Sequence, residues 1–211
     1  TGFLDTLIKK IQTRLHQFIA FVIKKYTEQA FKLAKKVNGD LEKNDLNEAK
    51  LKNALEGKGV KIKTYENTTT STGIQALTKC LADIIDSLST VDDISTKEID
   101  EKFKAILGKE VEVDVTSQLI DIKAGATEFK ELCEDAENRL ALLLGSYKTE
   151  NAEEAKENAK KANFVALKGR VAITTAMRYA AKQATRIAIA YGTAIRTAKK
   201  AIAKATKSED E

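Results

Sequence analysis

Three basic side chains, Arg178, Lys182 and Arg186, follow one another at intervals of four residues. In a helix this spacing places all three along one face. A guanidinium makes planar, bidentate contacts with carboxylate, sulfate or phosphate groups, and a lysine ammonium adds a point charge. The pattern therefore predicts a helix face that binds anionic groups.

The surrounding stretch, residues 158–207, contains no Asp or Glu but holds twelve basic residues. They are Lys160, Lys161, Lys168, Arg170, Arg178, Lys182, Arg186, Arg196, Lys199, Lys200, Lys204 and Lys207. The stretch thus has charge +12, and since the whole chain has +5, the remainder has −7. Two explanations stay open, because the bases either pair with acidic groups of neighbouring helices or form a surface for an acidic partner. The candidate ligand-binding residues on this face are Arg178, Lys182, Arg186, Arg196, Lys199 and Lys200.

Motifs for catalysis are missing from the sequence. No phosphate-binding loop of the GxxxxGK[ST] or GxGxxG type occurs, and no Glu-x-x-His pair of the bundle metal enzymes. The single histidine, His16, has no recognisable catalytic partner, and we expect it at the surface or boundary of the first helix. We therefore predict a protein that is not an enzyme, with no cofactor and no metal site.

The two cysteines, Cys80 and Cys133, fit no Cys-x-x-Cys or Cys/His metal pattern. Both fall on predicted helices. They are either two small buried apolar residues or, if the protein is exported, one disulfide that joins two helices.

The elements that must position these residues are helices. The 211 residues include no proline, which breaks helix interiors, and the apolar residues recur at spacings of three and four. We predict long helices over residues 3–37, 117–144 and about 150–206. Shorter helices are predicted from capping boxes at Asp45/Glu48 and Ser95/Glu98 and from apolar spacing over 74–89.

The predicted connections are as follows. The sequence Asn38-Gly39-Asp40 ends the first helix, and Thr149 caps the last one. Residues 58–73 are predicted to be a loop and residues 109–115 an extended link, since a strand there has no obvious partner. Gly169 and Gly192 are weak points of the last helix, and a break is expected near 163–170.

These elements predict an all-α fold, an elongated antiparallel helical bundle in one domain over residues 1–211. An alanine-rich seam along the last helix, with Met177 and Tyr191 as core residues, packs on the bundle. The end of that helix is expected to project as an arm, and residues 207–211 form a frayed tail.

One segment resembles a known family. It contains Ala54, Lys58-Gly59-Val60, Tyr65 and Thr72-Gly73. This Ala…Lys-Gly-Val…aromatic…Thr-Gly pattern, together with the Lys-, Ile-, Asn- and Glu-rich and proline-free composition, resembles surface lipoproteins of Lyme-disease spirochaetes. The chain is most similar in type to the OspE/F-related (Erp/Elp) lipoproteins, with a more distant similarity to the decorin-binding adhesins. The length of the first and last helices favours the larger, OspE/F-related type.

The resemblance implies a helical domain displayed on the bacterial outer surface by a lipid anchor. Since the chain opens Thr1-Gly2 without Met, we expect a fragment from which the anchor is missing, and contact with a membrane only through that anchor. The implied function is binding of a host protein, most specifically the proteases that initiate the classical complement pathway, to evade complement. The alternatives are an adhesin for sulfated glycosaminoglycans and a purely structural surface protein. No nucleic-acid partner is expected, and the protein is expected to be a monomer.

Overall fold

The computed structural model describes residues 2–67, 74–118 and 122–210, and side chains within these ranges except at 117–118, 74 and 122–127. Within this part of the chain the elements, in order, are α1 (Gly2–Lys43), α2 (Glu48–Leu55), β1 (Lys61–Tyr65), α3 (Ile74–Ser87), α4 (Thr96–Leu107), β2 (Glu110–Asp114), a 3-10 turn (Val115–Gln118), α5 (Ile122–Gly145) and α6 (Ala152–Glu209). The predicted helical bundle with long first, middle and last helices is confirmed. No helix over the described ranges is both long and apolar enough to span a bilayer.

The helices α1 and α5 pack side by side in opposite directions. Gln12 donates a hydrogen bond from Nε2 to the carbonyl oxygen of Ala141 at 3.0 Å. Further along, the ring centroids of Tyr26 and Phe129 lie 5.4 Å apart. Because the residue numbers rise along α1 as they fall along α5, the two helices are antiparallel.

The helices α1 and α6 pack in the same direction. The guanidinium of Arg170 lies over the ring of Phe18, 4.6 Å from its centroid. Toward the C-terminal ends of both helices, Val37 and Ile187 belong to one buried cluster. At 1.5 Å per residue the 58 residues of α6 reach about 87 Å, so α6 extends beyond the 42-residue α1.

Two buried clusters make the core. The larger one joins the first half of α1 to α3, α4, α5 and the first half of α6, with Phe103 fully buried at its centre. The smaller one joins the end of α1, α2 and the sheet to α6, through residues such as Leu51 and Ala194. The last buried residue of α6 is Ala198. Residues 199–209, which we call the C-terminal arm, are exposed apart from the partly buried Ala201.

The two segments predicted to be a loop and a link contain the two strands of a sheet. β1 and β2 pair antiparallel, with Lys61 opposite Asp114 and Tyr65 opposite Glu110. The helices α3 and α4 lie between β1 and β2 in the chain, so no short turn between the strands indicates that they pair. The prediction of no strand here was therefore wrong. Part of the predicted loop, residues 68–73, lies outside the described residues.

Several predicted helix ends are shifted in the structure. α1 continues through Gly39 to Lys43, and the chain turns at Asp45, whose φ is +51°. The N-cap of α2 is Asn47, not Asp45, and the N-cap of α6 is Asn151, not Thr149. An asparagine next to the first helical turn serves as a cap as well as Asp or Thr does, which is why the sequence pattern misplaced these ends. The capping residue of α4 was predicted correctly, since Ser95 Oγ accepts the backbone N–H of Glu98 at 3.0 Å.

The predicted break in α6 is absent, because Gly169 is a point of close packing. A Cβ placed on Gly169 would lie 2.6 Å from Cδ2 of the fully buried Leu140 in α5. The missing side chain therefore lets α5 and α6 approach, and the tertiary contact outweighs the low helix propensity of glycine.

This contact gives Gly169→Ala and Gly192→Ala opposite expected effects on the free energy of unfolding. Gly169→Ala should lower it by about 1–2 kcal/mol, because overpacking costs more than the gain in helix propensity. Gly192→Ala should raise it by up to about 1 kcal/mol, since the nearest heavy atom to its Cβ, Arg196 Nη1, is 3.7 Å away. Urea unfolding followed by circular dichroism measures both values. Equal shifts in the two variants would contradict the packing role of Gly169.

Candidate functional site: the basic face of the last helix

The three evenly spaced bases of α6 are paired with carboxylates inside the fold. Lys182 Nζ and Arg186 Nη2 both contact Oε1 of Glu110, at 3.0 Å and 2.9 Å. Arg178 Nη2 lies 3.5 Å from Oδ1 of Asp100, a weaker contact. Of the two explanations that the sequence left open, internal pairing applies to these three side chains. We refer to Arg178, Lys182 and Arg186 as the inner triad.

An aromatic ring contacts two members of the inner triad. The ammonium of Lys182 and the guanidinium of Arg186 lie 5.9 Å and 5.4 Å from the ring centroid of Tyr65, which is buried. The ring of Tyr65 meets the ring of Tyr179 edge-on at 6.0 Å. Because Tyr65 is opposite Glu110 in the sheet, one strand pair supplies both the anion and the π face that hold Lys182 and Arg186.

Tyr179 and Asp100 link α6 to α4. The Tyr179 hydroxyl donates a 2.7 Å hydrogen bond to Oδ1 of Asp100, whose other oxygen contacts Lys104 Nζ at 3.1 Å. This hydrogen bond, with the contacts from Lys104 and Arg178, holds the pKa of Asp100 below its ordinary value. Burial, and then the neighbouring carboxylate, raise the pKa of the Tyr179 hydroxyl. The pair is therefore fixed as a neutral phenol and a carboxylate at neutral pH.

A buried hydrogen bond also joins α6 to β1. Gln183 is 3% exposed and donates a 2.8 Å hydrogen bond from Nε2 to Thr64 Oγ1 of β1. Its Oε1 has no hydrogen-bond partner among the described residues, and neither has Nη1 of Arg186 one helical turn away. The ion pairs of Glu110, the ring contacts of Tyr65 and this hydrogen bond together hold the sheet against the middle of α6.

Glu110 should make stability depend on pH. The hydrogen bonds from Arg186 and Lys182 lower the pKa of Glu110 from 4.5 to about 2. A carboxyl whose pKa is depressed by folding stabilises the protein above its unfolded pKa, and this contribution is lost as the pH falls from 4.5 toward 2. Glu110→Gln should therefore lower the urea midpoint at pH 7 and flatten its decline over that window.

The matched control for this titration is Glu112→Gln. Glu112 is an exposed residue of the same strand with no ion pair among the described residues. The Glu112→Gln variant should have the wild-type urea midpoint at pH 7 and the wild-type decline of that midpoint between pH 4.5 and pH 2. A wild-type midpoint that declines between pH 4.5 and pH 2 no more steeply than that of Glu110→Gln would contradict the assigned role of Glu110.

A cleft of about 730 Å³ lies beside the inner triad, between α4 and α6. Its lining residues are Thr96, Lys97, Asp100, Arg178, Tyr179 and Lys182. These side chains carry both signs of charge, and the only carboxylate among them is already ion-paired. Three of its lining side chains are already engaged in the fold, since Tyr179 and Arg178 contact Asp100 and Lys182 contacts Glu110.

The other three candidate residues occupy a different environment. Arg196, Lys199 and Lys200 are exposed at the end of the bundle, and none takes part in an ion pair within the described part of the chain. Arg196 Nη2 donates only to Thr193 Oγ1, at 3.3 Å. Lys204 and Lys207 follow on the C-terminal arm, so the arm is a solvated, lysine-rich helix end. The structure thus separates the six candidates into an internally paired inner triad and three free cations.

Other bases of the last helix also serve the fold. Lys161 Nζ donates to the carbonyl oxygen of Val91 at 2.7 Å, and Lys168 Nζ lies 3.9 Å from Oδ1 of Asp93. These contacts fix the connection between α3 and α4 against α6. Of the two, the Lys168–Asp93 contact joins a base of the +12 segment to an acidic residue of the −7 remainder.

Cys80 and Cys133 are free thiols in the structure, not a disulfide, and both are buried. Burial raises the pKa of Cys80 to about 11 and that of Cys133 to about 12. Both thiols therefore stay protonated at neutral pH and are poor nucleophiles.

His16 is exposed on α1, where its Nδ1 contacts Oε1 of Glu137. This position agrees with the surface location expected from the sequence. Over the described residues no group of three or more His, Cys, Asp or Glu side chains is placed to hold a metal ion.

Acidic side chains gather between α3 and α5. A groove of about 720 Å³ between α3 and α5 is lined by Asp83, Asp86, Glu128, Glu131 and Asp135, among others. Arg139 partly neutralises it by bridging Asp135 at 2.9 Å and Asp86 at 3.2 Å. The sequence predicted the −7 remainder but not that several of its carboxylates would line one groove.

Comparisons with family models, with curated proteins and with solved structures find no match to this chain. The function is therefore inferred from the residues and their geometry.

Proposed function

We propose that the protein is a non-enzymatic binding module of the bacterial cell surface, and that the C-terminal arm of α6 holds an acidic partner. One observation carries the proposal. The cations at the end of the helix are exposed and take part in no ion pair among the described residues, whereas the inner triad is paired. They are Arg196, Lys199, Lys200, Lys204 and Lys207. Charges that the fold does not use remain available to a ligand.

The arm fits a sulfated polysaccharide best. Four of its five cations, counting Arg196, are lysines spaced over about three helical turns, with alanine, isoleucine and threonine between them. A row of flexible point charges suits a linear polyanion, whereas lysine is depleted from the cores of protein–protein interfaces. Binding would be driven mainly by the release of counterions from the polymer, and affinity should fall steeply with salt.

A host protein is the second candidate, and a specific observation favours it. Ile202, 45% exposed, lies among the lysines of the arm, and Ile189, 65% exposed, lies about two helical turns before Arg196. Exposed apolar side chains next to charged ones are typical of interfaces with proteins. The proteases that initiate the classical complement pathway are the partners that the family resemblance implies.

Two assays separate these candidates. We expect heparin to retain the protein at physiological salt and chemically desulfated heparin to release it. If the partner is a host protein, immobilised protein should instead recover complement proteases from serum, and heparin should not compete. Flow-through of the protein from a heparin column at low salt, together with an empty serum pull-down, would contradict the proposed function.

A further inference from the structure

The outer face of α1 carries exposed aromatic rings. Phe3 is 76% exposed, Phe21 is 66% exposed and Phe31 is 47% exposed. Three exposed phenylalanines on one helix stand out in a chain that has only seven, since burying a phenylalanine side chain stabilises a fold by about 1.5–3 kcal/mol. The fold leaves this apolar surface unused.

The same face is basic. Its exposed cations are Lys9, Lys10, Arg14, Lys24, Lys25, Lys32, Lys35 and Lys36. Between Asp5 and Asp40 the sequence of α1 contains one acidic residue, Glu28. Within the described part of the chain none of the eight cations takes part in an ion pair. Like the C-terminal arm, this face has charge that the fold does not neutralise.

Helix geometry makes the rings and the cations one surface. Phe3 and Phe21 are eighteen residues apart, which is five turns of 3.6 residues, so both side chains point in the same direction. The opposite side of α1 faces the bundle, where Ile8 and Ile19 are fully buried and Gln12 reaches α5. A flat partner can therefore touch both rings at once along about 27 Å of helix.

We propose that the outer face of α1 docks on an anionic lipid bilayer. The chemistry of that partner matches both features, because phenylalanine rings enter the boundary between headgroups and acyl chains while lysines contact the anionic headgroups. Seven of the eight cations are lysine, which protein interfaces disfavour, and a soluble polyanion offers nothing that would bury the rings. The bundle would then lie with α1 along the membrane surface.

This inference is independent of the function proposed for the C-terminal arm. It uses a different helix, and its ligand has an apolar interior that a polysaccharide lacks. Either surface can fail its test without affecting the other.

Co-sedimentation with vesicles tests the proposal. We expect the protein to bind vesicles containing about one-third phosphatidylserine at about 0.1 M salt, and to bind neutral phosphatidylcholine vesicles at least tenfold more weakly. The double variant Phe3→Ser and Phe21→Ser should weaken binding to the anionic vesicles at least tenfold. Leu142→Ser is the matched control, since Leu142 is 78% exposed on α5 and should not contact the bilayer.

Three outcomes would overturn the proposal. In the first, the wild-type protein does not bind anionic vesicles. In the second, the phenylalanine variant and the Leu142 variant lose the same amount of vesicle binding. In the third, the protein binds fully after both phenylalanines are replaced. A variant with Lys199, Lys200 and Lys204 reversed to Glu should bind vesicles as the wild type does. If that variant instead loses vesicle binding and the phenylalanine variant does not, the lipid contact belongs to the arm, and the proposal for α1 fails. Unchanged circular dichroism in each variant shows that the helices remain folded.

Discussion

Reversing Lys199, Lys200 and Lys204 to glutamate is expected to weaken heparin binding at least a hundredfold while leaving the fold intact. All three side chains are exposed and unpaired on the C-terminal arm, so no ion pair of the bundle is broken. Each lost contact with the polyanion lowers the slope of log affinity against log salt by about 0.7–0.9, so the slope should fall by more than 2. Titration calorimetry at several salt concentrations measures both quantities.

The matched control carries the same change in net charge elsewhere. Lys130, Lys148 and Lys156 are exposed and lie away from the arm, on α5, in the connection between α5 and α6, and at the start of α6. Reversing them to glutamate should change heparin affinity only several-fold, through the overall field. If both triple variants lose affinity equally, net charge and not the arm determines binding, and the assigned site is wrong.

Tyr179→Ala is expected to lower the free energy of unfolding by about 3–5 kcal/mol, the range for removing a buried aromatic ring. The ring is 9% exposed and contacts Tyr65 of β1 and Phe103 of α4. Its loss leaves a cavity where the sheet, α4 and α6 meet, and it removes the hydrogen bond to Asp100. Urea unfolding at pH 7 gives the value.

Tyr179→Phe separates the ring from the hydroxyl. The ring contacts stay, and only the hydrogen bond to a charged acceptor is lost, so the expected cost is about 1.5 kcal/mol. Heparin affinity of this variant should equal that of the wild type, since Tyr179 belongs to the inner, structural part of the face. The assignment would be contradicted if the alanine variant were no less stable than the phenylalanine variant.

Local patterns in the sequence predicted the helices well. The spacing of apolar residues located α1, α3, α4, α5 and α6, because an amphipathic helix shows its buried face in the sequence. The Ser95 cap was also found, since its signal lies within four residues. The end of α1 and the continuity of α6 were predicted less accurately, because Gly39 and Gly169 stay helical in this fold. Gly169 does so at a close contact with α5 that the sequence cannot show.

Contacts between residues far apart in the chain could not be predicted from the sequence. Residues Lys61–Tyr65 have strand-like alternation, but their partner lies beyond two intervening helices. For the same reason the sequence identified the inner triad as a charged row but not Asp100 and Glu110 as its partners. Even spacing shows that side chains share a helix face, whereas the neighbouring elements determine whether that face is solvated.

The basic face of α1 could not be recognised from the net charge along the sequence. Glu28, Asp40 and Glu42 share the helix with the lysines, so its net charge is less conspicuous than that of residues 158–207. Only the packing directions of α5 and α6 show which residues of α1 point outward. Charge patterning along a sequence is therefore most informative once the buried side of each helix is known.

Hydrogen exchange of the protein with and without a heparin oligosaccharide tests most directly whether the arm or the inner triad binds. We predict slower amide exchange on binding in peptides that cover residues 196–209. Exchange over residues 174–188, where the inner triad is already held by Asp100 and Glu110, should be unchanged. Slower exchange over 174–188 with none over 196–209 would contradict the account.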